Sequence, residues 1–151
     1  MDAVERGSMR KQDKIQEWIT GIIIGLVLSL LLAVKVFAAP VSETDAELLA
    51  KTVEAEAGNQ SIEGKRLVAA VVLNRVENAA FPDTIEDVLS QPKQFTTYRN
   101  LDNTEATWQD KLAVKMELET RSNKEVIYFR RDHYGTGTPL MKVGDHYFST
   151  I

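Results

Sequence analysis

Cysteine is absent from this 151-residue chain, and that absence removes disulfides, thiolate metal sites and cysteine nucleophiles together. Histidine is nearly absent too. His133 and His146 are too few and too far apart in sequence for a metal centre, which ordinarily takes three protein ligands. No excess of positive charge exists: the formal net charge is −4, and no lysine- and arginine-rich run tracks a phosphate backbone, so nucleic acid is not an expected partner. Low-complexity tracts and internal repeats are also missing. What remains is the composition of an ordinary globular domain, with 26% of residues charged.

The first forty residues differ from the rest. Trp18 to Val34 reads WITGIIIGLVLSLLLAV without a charge, and Val36 to Ala39 prolong the run past Lys35. A bilayer core takes about 20 apolar residues, so the segment is long enough to span it. Arg10, Lys11 and Lys14 crowd the N-terminal flank, which keeps that end cytoplasmic and sends everything after Pro40 outside. Val36-Phe37-Ala38 also fits a signal-peptidase site, but signal-peptide cores usually run about 7–15 residues. The expected organisation is a cytoplasmic basic segment (1–17), a transmembrane helix or uncleaved signal anchor (18–38), a linker (39–46) and an exported domain (47–151). Met9 offers a second start, directly before the basic flank.

Within the exported part, Thr44-Asp45-Ala46-Glu47 has the capping-box pattern and predicts a helix to about Ala57, closed by a left-handed cap at Gly58-Asn59. A second helix, from Ser61 to about Asn78, is apolar almost all round and should be central. Thr84 caps a short helix carrying Ile85, Val88 and Leu89, which Gln91-Pro92 ends. A further helix, Glu105 to Arg121, shows Trp108, Leu112 and Met116 at helical spacing. Val126–Phe129 and His146–Phe148 are β-prone and should pair as a hairpin across a loop rich in Gly, Thr and Pro. The expected fold class is therefore α+β, mainly α with a small antiparallel sheet.

One acid stands out. Glu56 lies three residues beyond Val53, four beyond Thr52 and seven beyond Leu49, on the apolar face of the first helix. Glu54 stacks over Glu47, Ala50 and Lys51 and should face solvent. Desolvation and the negative end of a helix both raise a carboxyl pKa, and a carboxylic acid held protonated near neutrality can protonate a glycosidic oxygen. A structural glutamate bonded to a neighbouring loop has the same spacing, so the position nominates Glu56 without deciding its role. Asn74, on the apolar face of the second helix, either ties a loop or lines a cleft. Phe95, Tyr98, Tyr128 and Tyr147 offer faces on which sugar rings stack. Gln94, Phe95, Tyr128 and His146 are assigned with Asn74 to substrate binding.

Taken in order, VEAEAGNQSIEGKRLVAAVVLNRV (53–76), FPDTIEDVLSQPKQFT (81–96), VIYF (126–129) and VGDHYF (143–148) resemble the SleB/CwlJ-type cell-wall hydrolases, the family of the spore cortex-lytic enzymes. The resemblance runs from about Leu48 to the end of the chain. It implies a lysozyme-like, mainly helical catalytic domain acting on peptidoglycan glycan strands, with no cofactor. It also implies that the glutamate of A-E-A, Glu56 here, is catalytic, in a lytic transglycosylase or muramidase-like reaction. Where the family usually has G-E, this chain has Asn59-Gln60. The resemblance covers the catalytic part, and the apolar segment is expected to localise it in place of the peptidoglycan-binding domain that often precedes that part. If the reaction were hydrolysis, Asp83, Asp87 or Asp102 would be searched for a base. A peptidoglycan amidase and a non-catalytic, membrane-anchored wall-binding protein are the alternatives.

Overall fold

The computed structural model describes Gln16, residues 18–23 and residues 41–151. The chain divides into two units, 1–40 and 41–151. In the first, residues 18–23 are helical, and Trp18, Ile19, Ile22 and Ile23 are exposed. The remainder of the apolar segment, 24–38, and its basic flank lie outside the described residues. No helix among the described residues is long and apolar enough to cross a membrane.

The second unit opens with α1 (Glu43–Ala57). Its cap is Ser42, two residues before the expected Thr44. The Ser42 Oγ accepts from the Asp45 amide at 3.0 Å and donates to the Asp45 carboxylate at 2.8 Å, a box built with aspartate. The helix thus begins inside the stretch assigned to the linker. Gly58 has φ −53° and ψ −35°, so the expected left-handed cap is absent and the helix simply runs out into a turn. Ser61 caps α2 (Ile62–Val76), Thr84 caps α3 (Ile85–Ser90), and a 3-10 segment follows at Thr96–Asn103. Thr107 and Asp110 form a reciprocal capping box at the start of α4 (Trp108–Glu119).

Helix α4 turns a different face inward from the one its apolar spacing marks. Trp108 is 70% exposed and Leu112 is exposed as well, whereas Asp110, Ala113, Val114 and Glu117 are buried. The small residues allow α4 to approach α1 and α2, and the two acids meet cations brought by its neighbours. Lys65 of α2, almost wholly buried, pairs with Asp110 and lies 3.4 Å from Glu54. Glu117 accepts from Arg66 at 3.3 Å and from the Ser122 amide at 2.8 Å.

The sheet has three strands, not two. β1 (Tyr128–Arg131) and β3 (His146–Thr150) pair antiparallel as expected, with Tyr128 opposite Ser149 and Arg131 opposite His146. The stretch read as a loop contains β2 (Thr138–Val143), which pairs with β3 on its other side, giving the order β1-β3-β2. β2 is mostly exposed, so no apolar alternation betrays it among Gly135, Gly137 and Pro139. The β2–β3 turn requires Gly144, at φ +57°, where a Cβ would fall 2.0 Å from the Gln60 side-chain oxygen.

The core is formed by Leu49 and Val53 of α1, most of α2, Val88 and Leu89 of α3, Val114 of α4, Val126 and Phe148. Each such aliphatic side chain contributes roughly 1.5–3 kcal/mol on burial. The polar contacts within that core are exacting. Asp110→Leu leaves the Lys65 ammonium buried beside only the more distant Glu54, and should destabilise the domain by about 3–5 kcal/mol in urea unfolding. The double variant Lys65→Met/Asp110→Leu should recover most of that loss. Equal destabilisation in the single and double variants would show that packing, and not the charge, matters there.

Candidate active site

A cleft of about 420 Å³ opens where the end of α1 faces the sheet. Glu56 enters it from the last turn of α1, and Lys93 to Thr96 line it from the turn after α3. β1 supplies Tyr128 to Arg131, and β3 supplies His146 and Ser149. Arg75 reaches it from α2. Glu56, Gln94, Phe95, Tyr128 and His146, widely separated in sequence, therefore share one cavity. Asn74 does not. Its amide donates to the carbonyls of Asn123 (3.0 Å) and Val126 (2.7 Å), and its oxygen accepts from Arg121. Those bonds occupy the side chain in tying the 123–126 segment to α2, the first of the two roles its position allowed, and Asn74 is not among the residues that line the cleft.

Glu56 is partly buried, and burial raises its carboxyl above the ordinary range. The Thr97 hydroxyl, 2.5 Å from Oε1, and the Arg131 guanidinium pull in the opposite direction without cancelling that effect. The position near the C-terminal end of α1 works in the same sense as burial. Thr97 also holds the carboxyl in place, leaving the rest of the group to face the cleft.

His146 is almost fully buried, edge-on to Phe129 with ring centroids 5.2 Å apart, and its Nδ1 has no hydrogen-bond partner. Burial and then Arg131 push its pKa down, so the ring is neutral at neutral pH. Arg75, equally buried, donates through Nε to the Ile127 carbonyl at 2.8 Å. Its guanidinium lies 5.2–5.4 Å from the ring centres of Phe81, Phe95 and Tyr128. Burial lowers its pKa to about 10, which leaves it charged. One terminal nitrogen of this arginine is buried without a partner.

Sequence reasoning passed over Arg75, Thr97 and the cations Lys93, Arg130 and Arg131. For Arg75 a signal existed: an arginine inside an otherwise apolar helix must find buried partners. The other four depend on loop and strand placement that spacing does not disclose. Glu54 also departs from expectation. It lies beside the Lys65–Asp110 pair, and burial and the neighbouring Asp110 carboxylate raise its pKa, so it is no simple solvated acid. Asp83, Asp87 and Asp102 are exposed and do not line the cleft, and Asp87 serves the cap of α3. Tyr98 and Tyr147 lie outside it as well. Among the described residues no group of three His, Asp or Glu side chains is placed to hold a metal ion.

Gln60, which stands where a glutamate was expected, clamps the β2–β3 turn. Its Nε2 donates to the Asp145 carboxylate at 3.1 Å and its Oε1 accepts from the Asp145 amide at 3.1 Å. A carboxylate there could accept from the amide but would oppose the Asp145 side chain. The amide suits an aspartate at that turn.

Comparison with known proteins agrees with this architecture. A 55-residue stretch, 36% of the chain, is 46% identical to the spore cortex-lytic enzyme of Oceanobacillus iheyensis and 40% identical to that of Bacillus subtilis. The match spans only about a fifth of those relatives' length, 20% and 18% respectively. Among solved structures, the catalytic domain of Bacillus cereus SleB superposes with a TM-score of 0.66 at 27% identity, covering 72% of this chain and 91% of that one. The catalytic domain of the germination-specific lytic transglycosylase SleB from Bacillus anthracis gives 0.64 at 27% identity, covering 72% and 96%. The mainly helical fold with a small antiparallel sheet is thus the fold of those catalytic domains. The cell wall hydrolase family itself matches residues 59–149, a span that holds every cleft residue named above except Glu56, three positions upstream. With that match extending over more than half of its length, the chain belongs to the cell wall hydrolase family.

Proposed function

We propose that this domain cleaves the glycan strand of peptidoglycan as a lytic transglycosylase, with Glu56 as its general acid. The observation that carries the proposal is a single carboxyl, raised in pKa by burial, in a cleft whose lining contains no second carboxylate among the described residues. Hydrolysing glycosidases place a second carboxylate about 5–5.5 Å away as nucleophile or about 6.5–9.5 Å away as base. A transglycosylase dispenses with both. Glu56 gives its proton to the glycosidic oxygen as the C1–O bond breaks, the sugar's own 6-hydroxyl oxygen bonds to C1, and the hydroxyl proton returns to the Glu56 carboxylate. The neutral product end is a 1,6-anhydro ring. The likeness to a lytic transglycosylase of Bacillus anthracis supports the same reaction.

In this reading Gln94, Phe95 and Tyr128, which line the cleft, contact the sugars, and the buried, neutral His146 borders the same cavity. Glu56→Gln keeps the side-chain shape and removes the transferable proton, so the domain should fold while glycan cleavage drops by about 10²–10⁴-fold. Glu63→Gln, at an exposed position in the first turn of α2, is the charge-loss control and should be nearly silent. Wild-type product ends should be one water lighter than hydrolysis products by mass spectrometry. Full activity in Glu56→Gln would remove it from the mechanism, and full-mass reducing ends would make the enzyme a hydrolase. Released peptide amines would mark an amidase, and no release at all a wall-binding module.

We also propose that residues 18–38 anchor the domain on the outer side of the cytoplasmic membrane. Protease added to intact protoplasts should digest the chain beyond Pro40. Protection of that part would reverse the topology, and a soluble form beginning near Ala39 would indicate a cleaved signal.

A further inference from the structure

The charge of the cleft runs against the charge of the chain. The protein carries a formal −4, yet the cleft is lined by Arg75, Lys93, Arg130 and Arg131 against one carboxylate, Glu56. Arg75 is buried within its three rings, while Lys93, Arg130 and Arg131 are exposed around the mouth. None of these three forms an ion pair with a carboxylate among the described residues, although five other cations of the domain do. Cations without a carboxylate partner that border one concave surface raise the positive potential there.

Two backbone positions at or next to these cations are left-handed. Lys93 has φ +67°, and Asp132, directly after Arg130-Arg131, has φ +73°. They are the only non-glycine residues with positive φ among those described; Lys93 lines the cleft, and Asp132 follows Arg131, which lines it too. A left-handed conformation is unfavourable for a residue with a Cβ and persists where the surroundings over-determine it, commonly at functional sites. Lys93 follows Pro92 and lies two residues before the buried Phe95.

A glycan strand of N-acetylated sugars is neutral, so a ring of cations is superfluous for the sugars themselves. The anions of peptidoglycan are the carboxylates of the stem peptides attached to its muramic acid residues. We propose that Lys93, Arg130 and Arg131 form a rim that binds those carboxylates, and that the preferred substrate is the peptide-bearing, anionic strand. This rests on the glycan-cleaving reading of the Glu56 cleft and specifies its substrate. A muramic residue closed as a lactam has neither peptide nor carboxylate and offers the rim nothing.

Phosphate polymers attached to the wall present similar negative charge, so the test separates the two sources. Peptidoglycan freed of phosphate polymers is divided, and one half has its carboxyls converted to amides with carbodiimide and ammonia. Wild-type kcat/KM should be about tenfold higher on the untreated half, the size expected of two or three exposed ion pairs, and the gap should shrink with added salt. In Lys93→Gln/Arg130→Gln the ratio between the halves should fall towards one. A ratio is unaffected by the fraction of enzyme that is folded. Co-sedimentation of Glu56→Gln with both halves should show the same preference without cleavage. If neither half is cleaved but the binding preference holds, the proposed reaction fails and the rim stands. Equal cleavage and binding of the two halves would overturn the rim, as would a double variant that keeps the wild-type ratio. Preference seen only with walls that retain phosphate polymers would overturn its assignment to stem peptides.

Discussion

Helix α2 is enclosed by α1, α3, α4 and β1, and it nevertheless carries Lys65, Asn74 and Arg75 into the interior. A buried cation or amide without a partner is costly, so each of these residues dictates where another element must lie. Lys65 fixes α4 through Asp110 and reaches α1 through Glu54. Asn74 fixes the 123–126 segment, and Arg75 fixes the carbonyl of Ile127 at the entry to β1. The last two decide the site. They set β1 against the helices with Tyr128 and Arg131 facing the cleft, and the β1–β3 register then places His146 opposite Arg131.

The same scaffold gives Glu56 its raised pKa. The run of Leu49 and Val53 that seats α1 in the core carries Glu56 to the margin of that core, where it loses much of its hydration. Arg131 and Thr97 moderate the effect, so the group is perturbed without being locked in one protonation state. On the proposed reading, the surrounding aromatic and cationic residues would supply what a single acid lacks: surfaces to hold a sugar chain and charge to hold its substituents. Stability and function are joined at Arg75, whose guanidinium supports Phe95 and Tyr128 from behind while bonding the backbone of the strand that carries Tyr128.

Much of this was legible in the chain because local rules and tertiary demands coincide. The all-round apolar α2, the Thr84 cap and the pairing of the two β-prone runs follow from composition and periodicity. Glu56 was legible because a carboxylate on an apolar face is conspicuous. The failures share a cause. On α4 the apolar stripe of Trp108 and Leu112 is exposed and the buried face holds Asp110 and Glu117, since buried ion pairs outweigh periodicity where cations arrive from other helices. Glu54 was misplaced for the same reason, since Lys65 lies eleven positions away in sequence. β2 escaped because its burial is slight and its pairing partner, not its own pattern, makes it a strand. The apolar run 24–38 lies outside the described residues, so its proposed role as an anchor rests on composition and flanking charge.

In the proposed mechanism Glu56 carries the proton that cleaves the strand. Its folded-state pKa is raised, so the acid form persists above the ordinary carboxyl range and is lost as pH rises through the shifted value. The direct measurement is to follow the Glu56 side-chain carboxyl by carbon NMR against pH, beside the pH dependence of kcat/KM on purified glycan strands. The carboxyl should titrate above the usual glutamate value of about 4.3, and cleavage should fall on the alkaline side at that same pH. A Glu56 carboxyl that titrates in the ordinary range, or an alkaline fall in rate unrelated to its titration, would contradict it.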